Sequence, residues 1–145
     1  MQHRHIGAYG LLEDQGNVLL VRKTRGPYRD RLDLPGGGIE FGEDPLAALH
    51  REFLEETGLV LAGETLVAAL SSRVSYRNHE GEMEDLHHLG LLYRVVAAEG
   101  GTLRTGSDGE DSAGAIWMAR DRLSELEVTP FAREALDLSP LPTPD

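Results

Sequence analysis

The sequence predicts a mixed α/β sandwich, because strand-like runs flank one long central helix and two short helical segments end the chain. Apolar-rich runs at 5–13 and 17–23 are separated by EDQGN, whose Asp, Gly and Asn suit a tight turn, so we predict a β-hairpin. With 145 residues, 40% of them hydrophobic, the chain is long enough for one continuous core. We expect a single domain over 1–138 and a Pro-rich tail, 139–145, that frays.

The middle of the chain predicts one helix. In FGEDPLAALHREFLEETGL, Asp44 suits the N-cap, Pro45 the first helical position and Gly58 a left-handed C-cap. These start and stop signals agree on a helix over about 45–57. The preceding TRGPYRDRLDLPGGG is rich in turn residues and is predicted to be loop. Further strands are predicted at 64–76, 85–99 and 115–119, with turns and loop at 100–114 around at most a very short strand, and short helices at 121–126 and 130–137.

Composition excludes several classes of function. The formal net charge is -11, which argues against attraction to a nucleic-acid polymer. The chain has no Cys, so a disulfide framework and a thiolate metal site are excluded and a cytoplasmic location is expected. The first ten residues, MQHRHIGAYG, contain no apolar stretch that predicts a signal peptide or membrane contact.

Three acidic residues gather near the end of the predicted helix. Glu52, Glu55 and Glu56 share an arc of roughly 100° at helical spacing. Acids near a helix C-terminus cost about 0.3–1 kcal/mol each, and like-charged neighbours cost about 0.2–0.5 kcal/mol per pair. A domain can carry that cost, so a solvated helix face is one interpretation. The other is a site for a hard divalent cation such as Mg²⁺, which prefers carboxylate oxygens.

The glycines immediately upstream favour the cation site. Gly36, Gly37 and Gly38 let main-chain groups approach a ligand closely. Five residues separate Gly37 from Glu43, and seven more separate Glu43 from the tripeptide REF at 51–53. One residue then precedes the pair EE at 55–56, and one more precedes the pair GL, which ends at Leu59. This spacing resembles the Nudix box, the signature of Nudix hydrolases, although Phe53 is bulkier than the aliphatic residue usual at its position.

The resemblance implies a fold, a reaction and a set of residue roles. The fold is a Nudix-type α/β/α sandwich with a mixed β-sheet, and the reaction is hydrolysis of a nucleoside diphosphate linked to another group, with Mg²⁺ or Mn²⁺. The substrate is then a nucleoside triphosphate, a dinucleoside polyphosphate or a nucleotide sugar. By matching position, Glu52, Glu55 and Glu56 hold the metal and the Gly36 carbonyl completes the coordination. Arg51 orients the carboxylates, and Glu43 fixes the loop against the helix.

The general base stays open among several acids. One of the box glutamates, Glu52 or Glu55, is one choice. In many members of the family another acid comes from a loop before the last core strand, where this chain has Glu110 and Asp111. Glu82, Glu84 and Asp85 are rival candidates, because their loop could also reach the site.

Substrate contacts are predicted in two places. A basic segment contains Arg22, Lys23, Arg25, Arg29 and Arg31, and we expect at least one of Arg25, Arg29 and Arg31 to bind phosphate. The alternative is a solvated edge strand kept soluble by its charges. Tyr76 resembles a Tyr of the diadenosine polyphosphate hydrolases, where the ring could stack on a base, although a strand Tyr is ordinarily a packing residue. His87 and His88 are adjacent on a predicted strand and should face opposite sides.

Two other functions compete with the enzyme. A catalytically silent nucleotide-binding regulatory module would use the same fold, and a plain cation buffer would use the acidic surface. The first should have lost a box glutamate or Arg51, and the second needs neither Arg51 nor the glycines, so the intact box favours the enzyme. A homodimer stays open, because dimers are common in the family.

Overall fold

The computed structural model describes residues 1–106 and 112–138, although not the side chains of Ser112, Ala113 and Leu138. In these residues, five strands precede the central helix, and three strands and two helices follow it. The elements are β1 (Gln2–Leu11), β2 (Glu13–Asp14), β3 (Asn17–Lys23), β4 (Leu32–Asp33), β5 (Gly36–Gly38), α1 (Pro45–Thr57), β6 (Leu61–Arg77), β7 (Met83–Ala97), β8 (Ser112–Ala119), a 3-10 helix (Arg120–Glu125) and α2 (Pro130–Leu138).

The strands form two sheets. The first has the order β5-β1-β7-β6, with β1 and β7 parallel and the other pairs antiparallel. In the second, β3 pairs with β8 along one side and with β2 and β4 along the other. The predicted mixed sheet is confirmed.

Two core clusters hold these layers together. One contains side chains of α2, including Phe131, and the other contains Leu49 and Phe53 of α1. The strands β1, β3 and β7 contribute to both clusters, because alternate residues of a strand point to opposite faces. On β1, for example, Ala8 belongs to the α1 cluster and Tyr9 to the α2 cluster. The predicted α/β/α sandwich is confirmed.

The caps of α1 are those that the sequence predicts. An Asp44 side-chain oxygen accepts from the Leu46 N–H at 2.8 Å, which fixes the start of the helix. Gly58 has φ 78° and donates its N–H to the Leu54 carbonyl at 2.8 Å, which ends it. The predicted helix over about 45–57 is therefore confirmed.

The predicted hairpin of 5–13 with 17–23 is wrong. β1 lies in the other sheet, between β5 and β7, and only the short β2 pairs with β3 across the turn at Gln15 and Gly16. The physical reason is that Ala8, Tyr9 and Leu11 are all buried, so β1 needs partners and covering layers on both faces.

The region predicted to be loop before α1 contains two strands, β4 and β5. The glycines of β5 pair with Gly7, Ala8 and Tyr9 of β1. A Cβ on Gly36 would lie 2.2 Å from the Ala8 carbonyl oxygen, so the glycine permits this close pairing rather than a free loop.

The other elements differ from the prediction mainly at their ends. β6 is longer than predicted, β7 has the predicted length but begins and ends two residues earlier, and β8 begins at Ser112, inside the segment predicted to be loop and turns around at most a very short strand. The first C-terminal helix is a 3-10 helix, whereas α2 begins at Pro130 with Thr129 as its cap. The predicted fraying tail, 139–145, lies outside the described residues. No helix in the described ranges is long and apolar enough to cross a membrane.

Candidate active site

Arg51 is the centre of a charge network on α1. Its guanidinium donates to both carboxylate oxygens of Glu43 at 2.8 and 2.9 Å, to Glu52 at 2.7 Å and to the Gly38 carbonyl at 3.1 Å. The hydrogen bond from Arg51 holds the pKa of Glu43 at about 2, and the bond to Glu43 raises the pKa of Arg51 further above its usual value. Arg51 thus ties the helix to the loop that precedes it, as expected for a positioning residue.

Glu52 is pressed against the glycine strand. Its Oε1 accepts from Arg51, and a Cβ on Gly37 would lie 2.6 Å from its Oε2. Since real Cβ atoms do not approach that closely, a side chain at Gly37 would displace the Glu52 carboxylate. The need for glycine at this position is therefore steric, and it concerns a predicted metal ligand.

Glu56 is buried at the base of the acidic face. Its side chain is 3% exposed, and it accepts a hydrogen bond from the Gly36 N–H at 2.8 Å. Burial raises the pKa of Glu56 to about 8, which the Gly36 hydrogen bond and the charge of Lys23 partly oppose. A nearby cation would favour the ionised carboxylate.

Glu55 lies at the exposed rim of the same face. Its carboxylate is 54% exposed and 3.8 Å from the Arg51 guanidinium. Its main-chain carbonyl, in the last turn of α1, accepts from Arg104 at 2.7 Å. Arg104 is a cation at the negative end of the helix, and it offsets part of the charge that the three acids add there.

The three acids belong to one helix face, but they do not share one partner: Glu52 and Glu55 face Arg51, and Glu56 faces the main chain of β5. Glu52 is held by Arg51 and Glu56 by Gly36. In residues 1–106 and 112–138, no three His, Asp or Glu side chains are arranged so that they could hold a metal ion as they stand. Oxygen donors of the type that Mg²⁺ prefers are nevertheless present together, from the carboxylates and from the main chain of β5.

A cavity of about 230 Å³ lies on the other side of the first sheet. It is bounded by β1, β7, the end of β3, β4 and the start of α2. Aromatic rings line part of it, and two buried titratable groups line the rest. Its lining consists of His5, Tyr9, Lys23, Arg25, Gly26, Pro27, Tyr28, Asp33, Leu86, His88, Thr129 and Phe131.

The buried titratable groups of the cavity are Asp33 and His88. One Asp33 oxygen accepts from the Leu34 N–H and the Thr129 hydroxyl, both at 2.8 Å, and burial raises the Asp33 pKa. Nε2 of His88 is 2.9 Å from the Tyr9 hydroxyl, and burial lowers the His88 pKa to about 4. Both groups are therefore neutral over part of the range in which their exposed counterparts carry charge.

Lys23 connects the cavity with the acidic face. It lines the cavity, and its charge also lowers the pKa of Glu56 on α1. It likewise lowers the pKa of Asp33. A ligand that extends from the cavity past Lys23 therefore leads toward Glu56.

The predicted substrate residues are dispersed. Arg25 lines the cavity, and Arg31 lies over the Tyr28 ring at 5.6 Å from its centroid. Arg29 is exposed and is not part of the cavity lining. Tyr76, on β6 opposite Glu84, is half-buried and likewise is not part of the lining.

The candidates for a further acid fall into two groups. Glu110 and Asp111 lie outside the described residues. Glu84 contacts His3 and Asn78, and Asp85 accepts from Ser75. In the strand register Asp85 is opposite Gln2, and Gly37, beside the acidic face, is opposite Ala8. Gln2 and Ala8 are six residues apart on β1, so these acids lie about 20 Å along the strand from the acidic face.

Sequence reasoning missed several residues of this region. Asp33 and Tyr9 gave no signal, because each is a single residue in a strand and the cavity forms only when the strands assemble. The contact of Arg104 with the end of α1 could have been predicted only from the charge of its side chain. The prediction that His87 and His88 face opposite sides is confirmed, because His88 contacts Tyr9 whereas His87 bonds to Ser71.

Comparisons with known proteins agree with this geometry. The chain matches the model of the NUDIX domain over residues 1–138. It is 29% identical over 110 residues to an ADP-ribose pyrophosphatase of Methanocaldococcus jannaschii, covering 76% of this chain and 60% of that enzyme. It is 37% identical over 67 residues to an RNA pyrophosphohydrolase of Saccharophagus degradans, covering 46% of this chain and 38% of that enzyme.

A solved structure supports the fold. The crystal structure of a MutT NUDIX hydrolase from Burkholderia pseudomallei matches with a TM-score of 0.73 at 24% identity, over 94% of this chain and 98% of that chain. The chain spans less than two thirds of the length of the two enzymes named above. The match over residues 1–138, together with the Arg51 network and the glycine strand, shows that the chain belongs to the Nudix family, whose members are hydrolases acting on pyrophosphate bonds.

Proposed function

We propose that the protein hydrolyses a pyrophosphate bond in a small nucleoside diphosphate derivative, with a divalent cation as cofactor. One observation carries the proposal. Two carboxylates of α1 are fitted to the main chain of β5, Glu52 against Gly37 and Glu56 against the Gly36 N–H. A solvated helix face needs no such fit, and neither does a cation buffer.

The proposed metal ligands are Glu52, Glu55, Glu56 and the Gly36 carbonyl. Their oxygen donors suit Mg²⁺, with Mn²⁺ as a substitute. A cation held there neutralises phosphate oxygens and lowers the pKa of bound water. It would also compensate the buried carboxylate of Glu56, whose ionisation burial opposes.

The chain's own groups then position the reaction and move the proton. Arg51 fixes Glu52 through a charge-assisted hydrogen bond of 2.7 Å, and Glu43 holds Arg51 from the other side. Removal of the proton from the attacking water requires a carboxylate within hydrogen-bond reach. We assign this role to one of Glu52, Glu55 and Glu110; a Gln variant that loses turnover but keeps Mn²⁺ binding would identify the base.

The cavity is the proposed site of the substrate's nucleoside. Tyr9, Tyr28 and Phe131 offer rings for a planar base, and Asp33 and His88 offer polar atoms along its edge. Lys23, whose charge acts on Glu56, and Arg25 line the cavity and are proposed phosphate contacts, and Arg31, Arg29 and Tyr76 remain proposed contacts outside it. The small cavity and the net charge of -11 favour a free nucleotide over a nucleic-acid polymer.

A substrate panel tests the proposal. Nucleoside triphosphates, ordinary and oxidised, diadenosine polyphosphates, ADP-ribose and nucleotide sugars are incubated with Mg²⁺, with Mn²⁺ and with EDTA. A triphosphorylated RNA is added because one relative is an RNA pyrophosphohydrolase. We expect metal-dependent release of a nucleoside phosphate from at least one small substrate. Isotopically labelled water identifies the phosphorus that is attacked. No hydrolysis of any of these compounds, or equal hydrolysis in EDTA, contradicts the proposal.

A further inference from the structure

Three basic or titratable side chains form a row across the first sheet, away from the site described above. In the strand register, Arg4 of β1 is directly opposite His87 of β7, and His87 is directly opposite Arg73 of β6. Residues that oppose each other in a sheet share a face. Arg4 also shares its face with Ala8, four residues further along β1, so the row lies on the α1 side of the sheet, opposite the cavity.

The two arginines of this row are exposed, and neither forms an ion pair in the part of the chain that the structure describes. Within 1–106 and 112–138, neither Arg4 nor Arg73 has a salt bridge or a side-chain hydrogen bond. Like charges aligned across a sheet destabilise it. Acids outnumber bases in the chain, 25 to 14, so basic residues in register are not a consequence of composition.

The row lies in a concave surface rather than on a flat one. A groove of about 500 Å³ is lined by Gln2, His3, Arg4, Arg73, Asp85 and His87. The Ser71 hydroxyl is 2.9 Å from Nε2 of His87, which fixes the ring between the arginines. The Asp85 carboxylate, one row further out on this face, is already hydrogen-bonded by Ser75.

The spacing of the row suits an anion with several oxygens. Neighbouring strands are about 4.8 Å apart, so the backbones at Arg4 and Arg73 are about 9–10 Å apart. Two arginine side chains can close on one ligand from both sides at that separation. Planar guanidinium groups bind phosphoryl oxygens through paired hydrogen bonds.

We infer that the Arg4–His87–Arg73 row is a second anion site, which binds a diphosphate group above the His87 ring with one guanidinium on each phosphoryl. Arg4 lies four residues, or about 13 Å, along β1 from Ala8, the partner of Gly37. The second site is therefore separate from the acidic face and requires no divalent cation. Free pyrophosphate and the diphosphate of a nucleotide share this chemistry.

The test is a titration of the metal-free protein followed by NMR of its histidine rings. EDTA is present, so that binding at the acidic face through a metal is excluded. The His87 signal is assigned with the variant H87N. Inorganic phosphate, pyrophosphate and ADP are added separately at low ionic strength. We expect a saturable shift of the His87 signal with pyrophosphate and a weaker response to phosphate. If ADP shifts the His87 signal as strongly as pyrophosphate does, the diphosphate group is the part that is bound. If ADP shifts it no more than phosphate does, the site binds free pyrophosphate only.

The variants separate the row from general charge. R4Q/R73Q should bind pyrophosphate roughly tenfold more weakly, since two exposed ion pairs are lost. R94Q/R122Q removes the same charge at two exposed arginines outside the groove and should bind nearly as the wild type does. R4K/R73K keeps the charge but loses the paired geometry, so it should fall between them and serves if R4Q/R73Q does not fold.

Three results would overturn the inference. One is the lack of a saturable His87 shift in the wild type. A second is unchanged affinity in R4Q/R73Q, or in R4K/R73K if that variant is used. The third is an equal loss in R94Q/R122Q. Hydrolysis of the substrate panel is measured separately, so failure of this site and failure of the proposed reaction are distinguishable.

Discussion

The acidic face of α1 and the cavity behind the first sheet accommodate their titratable groups in opposite ways: by pairing charges on the acidic face and by disfavouring charge in the cavity. On the acidic face Glu52 and Glu55 pair with Arg51, and the same guanidinium holds the pKa of Glu43, in the loop before α1, at about 2. In the cavity, burial disfavours the charged forms, so the pKa of Asp33 is raised and that of His88 is lowered to about 4. Glu56 combines both features, because it belongs to the acidic face yet is buried and has a pKa of about 8. This difference is the basis of the proposal that the acidic face binds a cation and the cavity an uncharged ring.

The largest expected effect is on turnover in the variant E56Q. Gln keeps the size of the side chain but removes the charge that a cation needs. Mutation of residues that only support metal ligands typically lowers activity by about 10–100-fold. Because Glu56 is a proposed ligand itself, we expect turnover to fall by about 100-fold or more. Steady-state kinetics and circular dichroism measure turnover and folding. E99Q, at an exposed turn, is the control and should be fully active. Full activity in E56Q would remove Glu56 from the site.

A second effect concerns the close contact of Gly37 with Glu52. In G37A the new methyl group would lie 2.6 Å from the Glu52 carboxylate and displace it. A displacement on the order of 1 Å costs up to about 100-fold in rate, so we expect about 10–100-fold lower kcat with a modest change in stability. G63A is the matched control, because a Cβ there meets no atom within 4 Å. Equal kinetics of G37A and G63A would show that the contact is not needed.

These two sites also differ in how far the sequence could predict them. The acidic face was predicted because Glu52, Glu55 and Glu56 are close in sequence and a helix places them together whatever the rest of the fold does. Asp44, Pro45 and Gly58 gave the helix ends for the same local reason. The cavity was not predicted, because His88 and Tyr9 are 79 residues apart and meet only through the parallel pairing of β1 with β7.

The wrong hairpin prediction has the same origin. The turn chemistry after β1 was correct, since β2 and β3 do pair across it. Burial on both faces of β1 required two covering layers, and a local pattern does not show which strands supply them. The short β4 and β5 were missed because their pairing depends on β3 and β1 rather than on their own composition.

A third effect is on the stability of the metal-free protein at high pH. The folded-state pKa of Glu56, about 8, lies above the value of 4.5 for an exposed Glu, so its proton stabilises the fold below pH 4.5 and this contribution is lost as pH rises through 8. E56Q lacks the ionisation. We measure the unfolding free energy of E56Q minus that of the wild type, in EDTA. This difference should be larger at pH 9 than at pH 5 by roughly 1–4 kcal/mol, in favour of E56Q. Urea unfolding measures it, and a pH-independent difference would be inconsistent with a buried carboxyl.

The smallest effect sharpens the comparison on the cavity side. The folded-state pKa of His88, about 4, lies below the value of 6.5 for an exposed His, so its contribution to stability is present above pH 6.5 and is lost as pH falls through 4. Between pH 7 and pH 4, the unfolding free energy of H88Q should fall by roughly 1–3 kcal/mol less than that of the wild type does. H79Q, at an exposed turn, is the control and should follow the wild type. An unchanged slope in H88Q would contradict a buried neutral imidazole.

The most direct test of the central claim is Mn²⁺ binding measured by electron paramagnetic resonance. The wild type should bind Mn²⁺ saturably, and E52Q, E55Q and E56Q should each weaken that binding by about tenfold or more. Mg²⁺ should displace the bound Mn²⁺, and E99Q should bind as the wild type does. If the triple variant E52Q/E55Q/E56Q bound Mn²⁺ with wild-type affinity, the acidic face of α1 would not be the metal site.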